Sequence, residues 1–123
     1  MRRFKVSVTT DGSGNAVAYS PRVTGKIHSI VYVRDGSNFY TNGVDFAITA
    51  EATGQNIWTQ NDVNASVEVM PRGPTSSQAG VASLYAASGT AIQDKIAVSN
   101  DRVKFSLSSG GATKVGVFHV LVD

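Results

Sequence analysis

The stretch Phe4-Lys5-Val6-Ser7-Val8-Thr9 decides the fold class of this 123-residue chain. Its apolar and polar side chains alternate, and because successive side chains of a β-strand point to opposite faces, this pattern is typical of a strand with one buried face. The loop Asp11-Gly12-Ser13-Gly14-Asn15 follows, and its Asp and Gly residues favour a turn. We therefore predict a strand over residues 3–10 with its apolar side chains inward, forming a hairpin with a second strand over residues 15–19.

The same alternation recurs along the rest of the chain, between turns rich in Gly, Asn and Asp. Further strands are predicted at residues 25–34, 44–49, 56–59, 64–70, 95–98, 102–107 and 115–122. The phase of the pattern shifts near Ser29, which indicates a β-bulge or burial on both faces. About eight short strands at this spacing predict an all-β domain over residues 1–123, either an antiparallel β-sandwich or a jelly-roll-like barrel.

Residues 71–89 interrupt the β pattern. The segment begins with two prolines and a glycine around Arg72, and Val81, Leu84 and Tyr85 then recur at helical spacing. We expect either a long loop or a short helix here. Insertions of this length in small β domains often bind a partner, although a lid over one end of the sandwich would have the same pattern. The four named side chains are therefore candidate interface residues.

The composition excludes several functional classes. Hydrophobic residues make up 41% of the chain, yet no apolar run approaches the roughly 20 residues that cross a bilayer, so no membrane association is expected. The net charge is +2, and the basic residues are scattered except for Arg2, Arg3 and Lys5. Nucleic-acid binding usually requires a concentrated basic surface and is not expected. The basic start is interpreted as a first strand rather than a secretion signal, since no continuous apolar run follows it.

No arrangement of reactive side chains is evident. The chain has no cysteine, and its two histidines, His28 and His119, lie in separate predicted strands. Asp45 and Glu51 would lie roughly 20 Å apart on one extended strand, which is too far for a pair of glycosidase carboxyl groups. No serine lies in a nucleophile elbow. We therefore predict no enzymatic activity, no metal site and no cofactor.

The aromatic residues Trp58 and Tyr40 suggest a different kind of site. Exposed aromatic rings on a β-sandwich can stack on sugar rings or fill a partner's pocket, and the polar neighbours of Trp58 would suit a lectin-like site. A core or interface position for Trp58 is the favoured interpretation. A carbohydrate-binding module therefore stays an alternative function.

Several stretches of the chain resemble small virion proteins of tailed bacteriophages and prophages. The matching stretches are residues 8–16 (VTTDGSGNA), 19–27 (YSPRVTGKI), 43–54 (GVDFAITAEATG), 56–58 (NIW), 101–104 (DRVK) and 116–120 (GVFHV). The resemblance implies a structural phage protein, in the first place a capsid decoration (cement) protein that binds the outside of the shell. It implies the major capsid protein and copies of the chain itself, as a homodimer or homotrimer, as partners. The expected location is the capsid surface of the virion, after synthesis in the bacterial host cytoplasm.

Two alternatives stay open beside the decoration protein: a neck, head–tail joining or tail-associated virion protein, and the carbohydrate-binding module. The resemblance supplies no contact residues. From the sequence pattern, the basic residues Arg2, Arg3 and Lys5 and the segment 71–89 are expected to contact the capsid or a sister subunit. Deleting residues 73–88 is predicted to leave a folded sandwich that no longer attaches to particles.

Overall fold

A computed structural model describes all residues of the chain, 1–123, and contains ten β-strands and no helix. The strands are β1 (Arg2–Thr9), β2 (Ala16–Tyr19), β3 (Val23–Arg34), β4 (Asp45–Ala50), β5 (Asn56–Gln60), β6 (Val67–Val69), β7 (Arg72–Pro74), β8 (Gln93–Asp101), β9 (Val103–Ser108) and β10 (Val115–Val122). They form two antiparallel sheets packed face to face. The prediction of an all-β sandwich is confirmed, with ten strands rather than about eight.

The long strand β3 organises the larger sheet. Sheet A has six strands in the order β1-β10-β3-β8-β7, and β6 also pairs with β3. β8 pairs with the first half of β3 and β6 with the second half. Sheet B has four strands in the order β2-β9-β4-β5. Only β4–β5 and β7–β8 are sequence neighbours that pair, so most connections cross between the sheets or skip a strand.

The predicted hairpin of the first two strands is wrong. β1 pairs with β10 in sheet A, whereas β2 pairs with β9 in sheet B, so residues 11–15 form a corner between the sheets. The carbonyl oxygen of Gly14 accepts a hydrogen bond from the N–H of Gly110 at 2.9 Å. A Cβ atom on Gly14 would lie 2.9 Å from the backbone nitrogen of Gly111. Close contact between two glycine-containing corners therefore replaces the hairpin turn.

The core lies between the sheets and is built around aromatic rings. Tyr32 of β3 and Phe46 of β4 meet edge to face with centroids 5.0 Å apart, and Phe105 of β9 lies 4.8 Å from Phe118 of β10. These four side chains are fully buried, as is Val8 on the predicted inner face of β1. The period-2 pattern therefore identified the inward side chains correctly, because alternation is a property of each strand by itself.

Of the two explanations for the change of phase near Ser29, the β-bulge is the correct one. The register between β10 and β3 passes from Leu121 opposite Ser29 to Val122 opposite Ile27, so His28 is the extra residue. An extra residue in one strand shifts the alternation by one position. This shift explains the change of phase that the sequence shows.

The short helix considered for residues 71–89 does not form, and the alternative of a long loop is correct. After β7 the segment runs through two turns, in which Gly80 and Ser88 have φ angles of 81° and 62°. A residue in the left-handed region interrupts a right-handed helix. The apolar residues therefore have helical spacing in the sequence, but the backbone of this segment does not form a helix.

Candidate functional site

Residues 75–92, which connect β7 to β8 and which we call the arm, contain no Lys, Arg, Asp or Glu. Charged residues make up 16% of the whole chain, so this stretch differs from the rest of the surface. The buried centres of protein–protein interfaces are depleted of charged residues in the same way. The absence of charge is thus a feature that the arm shares with interface centres, whereas its many Ser and Ala residues are not.

The base of the arm is held by three residues that bond to one another through their backbones. The N–H of Thr75 donates to the carbonyl oxygen of Ile92 at 2.7 Å, and the N–H of Ile92 donates to that of Ser83 at 2.8 Å. The N–H of Ser83 donates to the carbonyl oxygen of Thr75 at 2.9 Å, which closes the cycle. The arm is thus fixed to the end of the β7–β8 pair without a helix.

Two loops leave this base and carry exposed apolar side chains. In the first loop the N–H of Ser77 donates to the carbonyl oxygen of Val81 at 2.8 Å, and in the second the N–H of Tyr85 donates to that of Thr90 at 3.1 Å. The exposed fraction is 66% for Val81, 42% for Leu84 and 75% for Tyr85. Three of the predicted interface residues therefore lie together on one element and face solvent.

Arg72, the fourth candidate on this segment, is engaged within the chain. Its Nη1 donates to the carbonyl oxygen of His28 at 3.1 Å and to that of Pro71 at 2.7 Å, and the residue is half-buried. His28 is the bulge residue of β3, so the guanidinium group links β7 to the bulge. This position does not support a role for Arg72 as a free contact with a partner.

The basic residues Arg2, Arg3 and Lys5 lie on β1, at the opposite edge of sheet A from β7 and the arm. All three are exposed, and none forms an ion pair. The ion pairs of the molecule join Lys26 to Asp94, Lys95 to Asp123 and Arg102 to Glu51. The structure therefore separates the two segments that the sequence pattern proposed as interfaces into two distinct surfaces.

The role of Trp58 and Tyr40 as exposed aromatics for a glycan or a partner is wrong, because both rings are buried, with exposed fractions of 8% and 2%. Trp58 packs edge to face on Phe46 at 5.6 Å, which confirms the core interpretation. A register shift in the β4–β5 pair leaves Ile57 as an extra residue, so Ile57 and Trp58 are buried consecutively. The polar neighbours that suggested an exposed site therefore say nothing about the direction of the indole ring.

The two acidic turn residues with lowered pKa values are structural. Backbone N–H groups of Asn15 and Ser13 donate to the carboxylate of Asp11 and lower its pKa. The carboxylate of Asp35 accepts the N–H groups of residues 38 and 37, which lower its pKa in the same way. Hydrogen bonds to the charged form stabilise that form, so both groups hold their turns while ionised.

The other groups with potential for chemistry are dispersed. Asp45 accepts a hydrogen bond from the N–H of Asp62 at 3.1 Å, whereas Glu51 pairs with Arg102 at the β8–β9 corner. The Nδ1 atoms of both histidines are buried without a hydrogen-bond partner. No three His, Asp or Glu side chains lie close enough together to hold a metal ion.

The structure has no helix with the length and apolar character needed to cross a membrane.

One groove of about 270 Å³ lies on the outer face of sheet B. It is lined by Asp45, Phe46, Ala47, Thr59, Asn61, Ser106, Leu107 and Ser108. Its floor follows one cross-strand row, in which Ala47 lies opposite both Ser106 and Thr59. The groove was not anticipated from sequence, because it arises only when small outward side chains of three strands are placed side by side.

The chain matches no protein-family model, no curated protein and no solved structure. The candidate site is accordingly defined by the molecule's own surface. Its two distinctive parts are the uncharged arm, which exposes apolar side chains, and the unpaired basic residues of β1. Both are suited to contact with another macromolecule.

Proposed function

We propose that this protein is a structural component of a bacteriophage virion, specifically a capsid decoration protein that binds the outer surface of the shell and stabilises it. The arm is the observation that carries the proposal. It presents Val81, Leu84 and Tyr85 to solvent from a base closed by backbone hydrogen bonds. The resemblance of the sequence to small virion proteins of tailed phages supports the class of particle.

The energetics of the arm suit a contact that is weak singly and strong in many copies. Full burial of a large apolar side chain contributes about 1.5–3 kcal/mol, and tyrosine is enriched among the residues that dominate binding. Part of this gain offsets the lost freedom of the two partners, and a preorganised arm keeps that cost small. The uncharged surface around Tyr85 also avoids leaving a buried charge without a partner.

Stabilisation of the shell follows from mass action. A ligand that binds the closed lattice but not the separated subunits favours the lattice, by about 2.7 kcal/mol per site when its concentration is 100 times Kd. Repeated over the sites of a shell, this contribution would resist the outward pressure of the packed DNA. The protein needs no reacting group for this role, and the prediction that it is not an enzyme stays a prediction.

An arm replacement tests the proposal. Residues 76–91 are exchanged for Asn-Gly, which joins Thr75 to Ile92, a pair that is already hydrogen-bonded, through a two-residue hairpin loop. This change continues the β7–β8 register, in which Pro74 lies opposite Gln93. The deletion of residues 73–88 suggested by the sequence would instead remove most of β7. The variant should unfold cooperatively and fail to co-sediment with capsids purified from a phage that lacks the gene; retained attachment would reject the proposal.

Point variants test whether the apolar side chains of the arm, rather than its length, are needed for capsid binding. The triple substitution Val81→Ser, Leu84→Ser and Tyr85→Ser should weaken capsid binding by more than tenfold, since three apolar contacts are lost. Val17→Ser is the matched control, because Val17 is 60% exposed but lies on β2 of the other sheet. It should bind like the wild type.

Copy number distinguishes decoration from a neck, head–tail joining or tail-associated position. Quantitative mass spectrometry of purified virions should find hundreds of copies for a decoration protein and a dozen or fewer for a neck or tail protein. A particle without the protein would contradict both positions.

The carbohydrate-binding alternative has lost the site predicted for it, since Trp58 and Tyr40 are buried.

A further inference from the structure

We infer that a second copy of this chain docks edge to edge onto sheet A, with its β6 strand pairing antiparallel to β1 of the first copy. Both strands are open: β1 pairs only with β10, and β6 pairs only with β3. Open strand edges readily accept another strand. The inference concerns self-association, goes beyond capsid binding and does not rest on it.

The backbone of β1 has free hydrogen-bonding groups at Lys5. Beyond the end of β1, the N–H of Thr10 donates to the carbonyl oxygen of Lys114 at 2.8 Å, in the same register as the β1–β10 pair. In antiparallel pairs the N–H and C=O of one residue face the same side, and successive residues alternate. The even-numbered residues of β1 therefore face β10, whereas the N–H and C=O of Arg3, Lys5 and Ser7 face the open edge.

The backbone of β6 has free groups at Glu68. The N–H of Arg34 donates to Oγ of Ser66 at 2.8 Å, so the even-numbered residues of β3 face β6. Among these, Ile30 lies opposite Val69 and Tyr32 opposite Val67. By the same alternation, the N–H and C=O of Glu68, which lies between those two valines, face the open edge.

The directions of the strands also match. β1, β10, β3 and β6 each run antiparallel to the next, so β1 and β6 have opposite directions. A second copy placed beside the first in the same orientation therefore brings β6 antiparallel to β1. Pairing Lys5 with Glu68 of the second copy lets both residues exchange backbone hydrogen bonds.

The side chains on the outer face of sheet A agree with this register. Lys5 lies opposite His119, His119 opposite Val31, and Val31 opposite Glu68, so the row begins with a cation and ends with an anion. Lys5 and Glu68 are exposed, and neither forms an ion pair within the chain. Opposite charges placed directly across two strands stabilise the pairing.

The side chains on the inner face agree as well. With Lys5 opposite Glu68, Phe4 lies opposite Val69 and Val6 opposite Val67 of the second copy. Phe4, Val67 and Val69 are partly buried hydrophobic residues at the rim of the core. Docking would complete their burial, so backbone, charge and apolar contacts are all satisfied in one register.

The contact uses two different edges, so each copy offers one of each to its neighbours. Such heterologous contacts form closed rings or open chains. Because β1 and β6 lie on opposite sides of sheet A, a closed assembly requires three or more subunits. A symmetric β1–β1 pairing would instead bring together the Arg3 and Lys5 side chains of two copies, which repel.

A charge exchange tests the register. In sedimentation experiments the wild type should form oligomers larger than dimers as concentration rises. Lys5→Glu or Glu68→Lys alone should each lower the association constant by about tenfold, because an attraction becomes a repulsion. The double variant K5E/E68K should recover wild-type association. The control Lys104→Glu changes an unpaired charge on β9 of sheet B, away from both edges, and should have no effect.

Disulfide trapping tests the geometry independently, because the chain has no cysteine of its own. A Lys5→Cys chain mixed with a Glu68→Cys chain should form a linked heterodimer under mild oxidation. Within one subunit the two positions are three strand spacings apart, about 14 Å, which exceeds the reach of a disulfide.

Three outcomes would overturn the inference. They are a monomeric wild type at millimolar concentration, a double charge variant as weak as the single variants, and Lys5→Cys chains that link preferentially to one another. A monomer that still binds capsids would overturn only the self-association and leave the proposed function standing.

Discussion

The hydroxyl group of Tyr40 donates a hydrogen bond to the backbone carbonyl oxygen of Val8 at 2.5 Å. Tyr40 lies between β3 and β4, and Val8 lies on β1, so the bond ties a connecting segment to the edge of sheet A. Both residues are buried, and the ring of Tyr40 stacks on that of Tyr32 with centroids 6.0 Å apart. Burial raises the pKa of Tyr40 well above its ordinary value.

Tyr40→Phe should lower the free energy of unfolding by about 1 kcal/mol, the usual contribution of one buried hydrogen bond. The ring stays in place, so its packing contributes little to the difference. Urea denaturation would measure the change. Tyr85→Phe is the matched control, because Tyr85 is largely exposed, and it should be neutral. Equal stability of both variants would show that the bond to Val8 contributes nothing.

Gly116→Ala should destabilise the fold by about 1–3 kcal/mol, the usual cost of overpacking a core. A Cβ atom at this position would lie 2.5 Å from Cε2 of Tyr40 and 2.9 Å from Cε1 of Tyr32. Thermal or urea unfolding would measure the loss. Gly36→Ala is the control, since nothing lies within 4 Å of its Cβ position. Equal stability of the two variants would show that the rings of Tyr32 and Tyr40 move without cost to make room for the added methyl group.

Trp58 fluorescence should be poorly quenched by iodide in the native protein and readily quenched in urea. Trp58 is the only tryptophan, and it is buried against Phe46. Trp58→Ala should lower the free energy of unfolding by about 3–5 kcal/mol, as expected when a large core side chain is removed. Strong native quenching, or a stable Trp58→Ala variant that loses binding on a glycan array, would restore the carbohydrate-binding hypothesis.

The stability of the protein should fall as the pH drops below about 4. Backbone hydrogen bonds lower the pKa of Asp11 and Asp35 from the ordinary value of 3.8. Groups with a lowered folded pKa contribute stability above the unfolded pKa, and this contribution is lost as the pH falls through the folded pKa. Asp11→Ala should lower Tm at pH 7 and reduce the loss of Tm between pH 5 and about pH 2. An unchanged pH profile would assign the acid sensitivity to other carboxylates.

The accuracy of sequence-based prediction differed between local and distant features. The inward direction of Val6 and Val8 follows from alternation within one strand and was predicted correctly. The change of phase near Ser29 was also visible, and the bulge was one of its two predicted explanations. The partner of each strand was not, because glycine and aspartate favour a hairpin turn and a corner between sheets equally well. The pairing of β1 with β10 depends on contacts between opposite ends of the chain.

The candidate site shows the same division. Val81, Leu84 and Tyr85 of the arm were predicted from the sequence as candidate interface residues, but the conformation of the arm was not predicted. Helical spacing is a local signal, whereas the backbone bonds among Thr75, Ser83 and Ile92 join residues that are distant in sequence. Trp58 was ambiguous for a similar reason, since a bulge at Ile57 alters which side chains of β5 face inward.

Local pattern thus established the class of fold, the strands and the side chains that fill the core, because alternation and turn chemistry are encoded within a few consecutive residues. The three-dimensional arrangement alone decided that β1 and β6 are open edges and that Lys5 and Glu68 end one cross-strand row. Strand order results from the free energy of the whole folded chain, and no single segment of the sequence carries that information.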